Sequence, residues 1–426
     1  MKSAIDGSLQ ASAAPGAAEK AFVVFVLLLS LGVFQNLSVT GPIETQNMGS
    51  LGMQILWSLV YLVTLALYFR NCGRPLRTLF FVSPLIAVVS FAGASVFWSQ
   101  DPQLSLRRSI ALGLTLVFGV YLASRFNPRE QFRLLAWSFA FCIIFSFIFE
   151  LLDLNPSQGY PGWYGVFDIK NQLGQNMVVS AMVFWFWRKL EPKHRALANT
   201  GFLASVSLLA LSLAMTAVSV FAVLIVLLPY LQWTLRKSVR RVVGGMTVLL
   251  AAGTVSLIYA LTHLDYVTGL LGKDAALTGR LPLWIVSAVM AVRRPWLGYG
   301  FSAFWLPDEG YIQRIWQLLG WMPPQAHNGV LELWLELGLV GTVLFLSVFA
   351  YYVARALHFL RHNPEPAAAW PIMFLMFLFL TNLTTAFFLV ANGLDFVLFV
   401  AIAATMYTQE REVRASRLAT PRLNCV

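Results

Sequence analysis

Charged residues are scarce in this sequence of 426 residues, where Lys, Arg, Asp and Glu together make up only 12%. A soluble domain carries about 25% of such residues. Hydrophobic residues reach 58%, and the mean hydropathy is +0.70. So little charge excludes an ordinary soluble protein, and so much apolar surface requires lipid as its solvent.

Cysteine and metal-ligand patterns are also scarce. The three cysteines, Cys72, Cys142 and Cys425, lie far apart in a predicted cytoplasmic loop, in a predicted span and beside the last residue. This distribution predicts no disulfide framework. The five histidines show no metal-ligand spacing, so we expect neither a metal site nor a cofactor. The apolar run from Ala21 lacks a small-residue cleavage site, so we expect a retained first span and not a signal peptide.

Apolar runs, in contrast, recur along almost the whole sequence. Because one span needs about 20 apolar residues, these runs predict an all-α, polytopic membrane protein with about twelve transmembrane helices. The transmembrane domain is placed at 21–408, between cytoplasmic tails at 1–20 and 409–426. The stretch 196–235 is too long for one span and is divided near Thr216 into a helical hairpin. The predicted spans are 21–40, 51–69, 79–97, 109–124, 134–152, 172–187, 197–214, 217–235, 242–262, 327–354, 369–387 and 392–408.

Basic residues cluster in short loops between the apolar runs and give a net charge of +11. Lys and Arg concentrate on the cytoplasmic side of membrane proteins, so we interpret these clusters as topology signals and expect no nucleic-acid partner. With both termini inside, 22 of the 30 basic residues fall on the cytoplasmic side. The other eight fall outside and need another role: Arg107, Arg108, Lys170, Lys273, Arg280, Arg293, Arg294 and Arg314.

The longest predicted outer segment is 263–326, and it carries a helix of its own. The run 281–292 is mostly apolar, is bordered by arginines and is followed by an aromatic-rich stretch. This pattern is typical of an element that lies at the lipid interface. A second outer segment, 153–171, is rich in Gly, Pro and aromatic residues and predicts an ordered cap over a cavity.

Arginines and glycines in the long segment predict an anion site. Arg280, Arg293 and Arg294 precede the sequence that contains Gly298 and Tyr299. Guanidinium groups bind phosphate oxygens bidentately, and glycines let the backbone approach an anion. We therefore predict that these arginines and Tyr299 bind an anionic headgroup. The alternative is that the arginines only anchor the helix to lipid phosphates.

A histidine at the start of the next span is the candidate base. The pKa of an ordinary histidine, near 6.5, leaves His327 largely neutral and able to accept a proton at pH 7. Asn328, Glu332 and Glu336 follow on one helix face, where two carboxylates need a nearby cation, and the arginines of the loop are the expected partners. The alternatives are a solvated histidine cap and glutamates that face an aqueous vestibule.

Two further outer motifs carry cations. Lys170 and Asn171 lead into a predicted span, at a helix N-terminus where unpaired backbone N–H groups favour an anion or a sugar. Lys170 could equally extend toward the membrane surface. Arg107 and Arg108 lie on the outer side against the topological bias, which favours a specific anionic partner. A purely structural acidic partner, Asp101 or Glu44, is the alternative for this pair.

With these motifs in order, the sequence resembles the superfamily of bacterial O-antigen ligases and O-antigen or exopolysaccharide polymerases over nearly its whole length. The Gly-Val-Phe-Asp-x-Lys-Asn-x-Leu-Gly motif is most similar to that of exopolysaccharide-production polymerases. The matching pieces are Trp98 to Ser109, Gly165 to Gly174, Gly279-Arg280 with Trp284, Pro295 to Phe304, and Ala326-His327-Asn328 with Leu331-Glu332 and Glu336-Leu337-Gly338.

This resemblance implies a glycosyltransferase of the C-type architecture in the bacterial inner membrane, with its active site on the periplasmic side. It implies a metal-independent reaction whose substrates are an oligosaccharide on undecaprenyl diphosphate and an acceptor glycan, with a flippase and a chain-length regulator as partners. His327 would deprotonate the acceptor hydroxyl, while Arg280 and another cation stabilise the departing lipid diphosphate.

One position departs from the family pattern. Members usually carry Arg or Lys near the end of the hairpin, where this sequence has Met215. Three explanations remain open: Arg107, Arg108 or Lys170 substitutes for the missing cation, the alignment is displaced, or the protein is a diverged and inactive member.

The sequence thus favours an exopolysaccharide polymerase that extends a lipid-linked glycan. An O-antigen ligase, which transfers the same type of donor to lipid A-core, is the first alternative. A transporter or an inactive component of an export complex is the second. The long outer segment, the lack of an internal repeat and the lack of matched broken spans count against a transporter.

Overall fold

The structure is a computed structural model, and every regular element in the residues that it describes is helical. This confirms the all-α prediction. The described ranges are 14–34, 51–71, 79–154, 161–234, 244–245, 247–248, 280–307, 309–363 and 365–419. In chain order the helices are α1 (Ala17–Leu31), α2 (Leu51–Asn71), α3 (Ser83–Ala94), α4 (Pro102–Arg125), α5 (Pro128–Leu151), α6 (Lys170–Leu190), α7 (Arg195–Leu211), α8 (Met215–Thr234), α9 (Arg280–Arg293), α10 (Gly310–Leu319), α11 (Gly329–His362), α12 (Trp370–Thr381) and α13 (Leu394–Ala419).

The predicted spans overlap these helices, apart from 242–262, which lies almost entirely outside the described residues. The predicted division of 196–235 into two helices is confirmed, because α7 ends at Leu211 and α8 begins at Met215. The number twelve and the domain bounds stay predictions. Among the described residues, the helices long and apolar enough to cross a membrane are Leu51–Arg70, Pro102–Arg125, Pro128–Leu151, Met215–Trp233 and Gly329–His362.

The surface of α2 shows why this chain needs lipid. Leu51, Ile55, Leu59 and Leu62 follow one another along one face of the helix, and each is more than half exposed. The opposite face of α2 packs against α4. A stripe of exposed leucine and isoleucine is stable only against another apolar medium, so the protein is embedded in a membrane.

Helix ends are fixed by local sequence and by charge. Helix α5 begins with a capping box, in which the Asn127 side chain accepts from the Glu130 N–H and the Glu130 carboxylate accepts from the Asn127 N–H. At the predicted cytoplasmic end, ion pairs then join neighbouring helices. They are Arg125 with Glu19 at 2.7 Å, Lys20 with Glu130 at 3.6 Å and Arg133 with Glu191 at 2.5 Å.

The predicted outer segments meet at the opposite end. The Trp163 N–H donates to the Leu211 carbonyl oxygen at 2.9 Å, which joins the cap segment before α6 to the hairpin. The Ala386 N–H donates to Oε1 of Gln325 at 2.8 Å, which joins the segment after α12 to the residues before α11. The candidate residues of the sequence motifs therefore lie at one end of the bundle.

Candidate active site

Helix α11 is broken at Gly338, where φ is 67° and ψ is −174°. A Cβ atom at this position would lie 2.2 Å from the carbonyl carbon of Trp296, so both the conformation and the space require glycine. Beyond the break, the Leu339 N–H donates to the Pro295 carbonyl at 2.7 Å, and the Val340 N–H donates to the Trp296 carbonyl at 3.1 Å. The segment after α9 is thus fixed against the broken helix.

The same segment also binds the Trp98 to Ser109 motif, which lies some two hundred residues earlier in the chain. The indole N–H of Trp98 donates to the Leu297 carbonyl at 2.8 Å, and the Gln100 N–H donates to the Tyr299 carbonyl at 3.0 Å. Tyr299 in turn donates its own N–H to the Leu335 carbonyl at 2.8 Å. Hydrogen bonds therefore join three of the sequence motifs into one layer at the predicted outer end.

His327 sits in a short turn before α11 and has a φ of 50°, a left-handed conformation that is uncommon for a residue with a side chain. Asn328 caps α11, and its side chain accepts from the N–H groups of Val330 and Leu331 at 3.1 and 3.0 Å. On the other side, the Ala326 N–H donates to Glu332 at 2.5 Å. These contacts hold the backbone of His327 from both directions.

The Glu332 carboxylate uses its two oxygens for protein contacts. Oε2 accepts from the Ala326 N–H, and Oε1 accepts from the indole N–H of Trp305 at 2.9 Å. The structure thus gives Glu332, like Asn328, a part in positioning the turn. A substrate contact by either side chain stays a prediction.

Burial and charge act on His327 together. Burial, the larger cause, and repulsion from the nearby guanidinium of Arg280 together lower its pKa to about 4. Burial also lowers the pKa of Arg280. His327 is therefore neutral at pH 7, and its buried Nδ1 has no hydrogen-bond partner among the described residues. The structure brings Arg280, the first residue of α9, within electrostatic reach of the candidate base.

The expected partners of the two glutamates need correction. We expected the loop arginines to balance Glu332 and Glu336. Among the described residues, Glu332 contacts Trp305 and a backbone N–H, and the cation that acts on Glu336 is Arg108 of α4. The sequence could not indicate this, because α4 and α11 are far apart in the chain and meet only through tertiary packing.

His327 lines a cavity of about 1930 Å³ at the predicted outer end of the bundle. Arg107 and Arg108 of α4 line the same cavity, and so does Asn171 in the first turn of α6. The structure therefore brings together four of the predicted site residues, with Arg280 close to His327. A volume of this size exceeds a typical ligand pocket of roughly 300–1,000 Å³ and could hold several sugar rings.

Lys170 begins α6 as predicted, but its ammonium group is turned toward the protein. Its Nζ donates to the Pro161 carbonyl at 2.7 Å. The preceding turn is held by Glu150, whose carboxylate accepts from the N–H of Gly165 at 2.6 Å. Burial raises the pKa of Asp168, which also lines the cavity. An anion or substrate contact by Lys170 stays a prediction.

Arg293, Arg294 and Tyr299 lie outside the cavity lining. Both arginines are exposed, and the Arg294 guanidinium lies over the Tyr299 ring, 4.8 Å from its centroid. The Tyr299 hydroxyl donates to the Met290 carbonyl at 3.0 Å, and burial raises its pKa. The structure does not bring these three residues to His327.

Met215, at the position where the family usually has a cation, is the first residue of α8. It is half exposed and does not line the cavity. No group of three His, Cys, Asp or Glu side chains in the described ranges is arranged to hold a metal ion. The cations that line the cavity within these ranges are Arg107 and Arg108.

Sequence reasoning missed one set of cavity residues, on α10 and just after it. Gln313, Trp316, Gln317 and Trp321 line the cavity together with His327. The signal was present, because α10 is amphipathic and its polar residues follow helical spacing. Polar residues on a short outer helix normally face water, so only the tertiary structure shows that they enclose a cavity.

Comparison with known proteins agrees with the motifs. A family model described as O-antigen ligase matches residues 200–346, which include both Arg280 and His327. The exopolysaccharide production protein ExoQ of Rhizobium meliloti (strain 1021) is 29% identical over 345 residues, covering 78% of this chain and 76% of ExoQ. These matches support an enzymatic membrane function of the ligase or polymerase type. The two comparisons confirm the resemblance predicted from the motifs: this chain is similar to the superfamily of O-antigen ligases and O-antigen or exopolysaccharide polymerases.

Proposed function

We propose that this protein is a metal-independent glycosyltransferase that polymerises exopolysaccharide from glycan carried on undecaprenyl diphosphate, at the periplasmic face of the inner membrane. Both termini are then cytoplasmic. The observation that supports this most directly is a neutral histidine, His327, within electrostatic reach of Arg280 and at the edge of a cavity that also holds Arg107 and Arg108. A lipid diphosphate needs cations, and an acceptor hydroxyl needs a base.

His327 acts as the base in this proposal. Its pKa of about 4 leaves the ring unprotonated at pH 7. As the acceptor oxygen bonds to the anomeric carbon of the donor, its proton passes to His327 and the bond from that carbon to the diphosphate oxygen breaks. Arrival of an anionic diphosphate beside Arg280 offsets part of the repulsion on the imidazolium, so His327 becomes a better base when substrate is bound.

The leaving group is the lipid diphosphate, and arginines stabilise its charge. Arg280 lies beside His327, and Arg107 with Arg108 supplies further positive charge from α4. This arrangement favours the first of the three explanations for Met215, in which the pair on α4 substitutes for the family's usual cation. Preorganised cations in a partly dry site stabilise developing negative charge without a metal.

Polymerase and ligase differ in their acceptor, and each has one observation in its favour. The name of the relative ExoQ, an exopolysaccharide production protein, and its coverage of most of the chain favour the polymerase. The description of the matching family model favours an O-antigen ligase as the second candidate. The chemistry proposed for His327 and Arg280 is the same in both.

The catalytic proposal is tested with purified protein in lipid nanodiscs and a radiolabelled glycan on undecaprenyl diphosphate. His327→Ala and Arg280→Ala should each lower glycan transfer by about 10²-fold or more. His358→Ala and Arg314→Ala are matched controls, because both residues are exposed and outside the cavity lining, and they should transfer normally. Normal transfer by both site variants would refute the mechanism.

The acceptor is tested in the same system by product length. A polymerase should yield a ladder of glycans on undecaprenyl diphosphate in the absence of lipid A-core. A single transfer that requires lipid A-core would instead identify a ligase. His327→Ala should abolish either product.

A further inference from the structure

Helix α10 presents three different faces, and one of them belongs to the cavity. Ile312 and Ile315 are buried in a small apolar cluster, whereas Arg314 and Leu318 are exposed on the outside. The third face follows the spacing i, i+3, i+4 and i+7, so its side chains point in one direction. Its members, which all line the cavity, are Gln313, Trp316, Gln317 and Gly320.

The first turns of α6 contribute a second set of amides to the same cavity: Asn171, Gln172 and Asn176. Among the residues that the structure describes, none forms a hydrogen bond with these three side-chain amides or with that of Gln317. Each amide offers two donor hydrogens and an acceptor oxygen. Unused groups of this kind match a ligand whose surface carries hydroxyls, each of which can donate and accept.

Aromatic rings complete this lining, which we call the amide wall: the α6 amides, the cavity face of α10, and Trp321. Trp316 and Trp321 give flat apolar surfaces between the amides. A sugar ring has the same mixed character, with apolar C–H faces and a rim of hydroxyls, so aromatic and amide groups suit it together. A neutral ring carries no charge that an arginine would have to balance.

The positive charge that lines the cavity within the described ranges lies away from this wall. Arg107 and Arg108 lie on α4, whereas the amide wall contains no Lys or Arg. The wall reaches the candidate base through Trp321, whose ring centroid lies 5.8 Å from that of His327. A sugar on this wall would therefore present a hydroxyl to His327 while the diphosphate stays on the arginines.

We infer that the amide wall, formed by α10, Trp321 and the start of α6, binds a neutral sugar of the acceptor glycan and holds its attacking hydroxyl at His327. This inference rests on the proposed function and gives the two substrates separate parts of one cavity. Residues of α10 then set the affinity for the acceptor, and α4 sets the affinity for the donor.

The test uses the double variant Trp316→Ala/Gln317→Ala and a control on the same helix, Arg314→Ala/Leu318→Ala, both in nanodiscs. The probe is the repeat-unit oligosaccharide released by mild acid from the undecaprenyl diphosphate of the producing cells, because it carries sugars without lipid or phosphate. Its binding is measured by calorimetry. In transfer assays, its KM as a free acceptor is measured against the KM of the lipid-linked donor.

The double variant should weaken oligosaccharide binding and raise the acceptor KM by about tenfold or more, as expected for the loss of a hydrogen bond and a ring contact. Its donor KM should not change, and the control should match the wild type in all three values. Unchanged oligosaccharide affinity in the double variant, or an equal rise in both KM values, would overturn the inference. An absence of transfer by the wild type would count against the proposed function alone, because the calorimetric comparison would still decide whether the wall binds sugar.

Discussion

Two Arg-Arg pairs on the outer side look equivalent in the sequence and differ in the structure. Arg107 and Arg108 line the large cavity, and Arg108 is close to Glu336 of the broken helix. Arg293 and Arg294 are exposed beyond the cavity, where Arg294 stacks on Tyr299. A basic pair against the predicted topological bias can therefore either line a cavity or lie exposed outside it.

The largest expected effect is the difference in glycan-transfer rate between double variants of the two pairs. Arg107→Ala/Arg108→Ala should lower transfer from the lipid diphosphate by about 10²- to 10³-fold, because it removes the cationic lining that we propose stabilises the leaving group. Arg293→Ala/Arg294→Ala, an equal loss of charge, should retain most activity. The rates are compared at saturating acceptor. Equal losses in the two double variants would show that the position of a pair relative to the cavity does not matter.

Much of this architecture could be predicted from sequence because it depends on local patterns. Apolar runs located the helices, the helix at 281–292 appears where the sequence predicts it, and the break between α7 and α8 lies close to Thr216. The motif order also led to His327 and Arg280, which the structure brings within electrostatic reach of each other. The sequence does not indicate which helix faces pack against each other. The contacts between distant helices in the site therefore could not be predicted from it.

Three features of the site show this limit. The electrostatic interaction of Glu336 with Arg108 joins helices far apart in the chain, so spacing within α11 could only suggest a nearby cation. The cavity face of α10 has the composition of a solvated face. Gly338 was recognised as part of a motif, but its left-handed conformation depends on the backbone of Trp296, which approaches it only in the folded protein.

The break at Gly338 anchors the segment that follows the exposed pair, since the N–H groups of Leu339 and Val340 donate to the carbonyls of Pro295 and Trp296. Gly338→Ala should destabilise the protein by about 3 kcal/mol, because a Cβ would meet backbone atoms of Trp296 and the left-handed φ is strained. Denaturation of the purified protein measures this. Gly113→Ala is the matched control, because a Cβ there meets only Val89 at 3.7 Å, and it should not destabilise α4. Equal stability of both variants would mean that the break is dispensable.

A smaller expected effect is the change in the pKa of His327 when Arg280 is replaced. Neither arginine pair acts on this pKa, so the change is specific to Arg280. Arg280→Gln removes a positive charge that disfavours the imidazolium, so the pKa of His327 should rise above about 4. The pKa should stay below the ordinary 6.5, because burial is the larger cause and remains. NMR titration of protein with 13C-labelled histidine measures the shift, with His327→Gln to assign the signal.

Arg314→Gln serves as the control for that titration, since Arg314 is exposed and does not act on His327. It should leave the His327 titration unchanged. Arg280→Gln should raise the proton affinity of His327 by at most about tenfold. An unchanged or lower pKa in Arg280→Gln would place the guanidinium too far away to stabilise a diphosphate beside the base.

The smallest effect concerns the exposed pair and its position at the membrane surface. The outward side of α9 carries Ile285, Val289 and Val292, each more than half exposed, next to Arg293 and Arg294. Apolar side chains with adjacent arginines suit an interfacial helix that meets anionic headgroups. Arg293→Ala should therefore lower the enrichment of phosphatidylglycerol around the protein by about fivefold, which corresponds to about 1 kcal/mol. Arg107→Ala should change this enrichment less, because Arg107 lines the cavity. Native mass spectrometry of both variants in mixed nanodiscs measures the number of bound phosphatidylglycerol molecules. A greater loss of this lipid in Arg107→Ala than in Arg293→Ala would contradict the assignment of the exposed pair to the membrane surface.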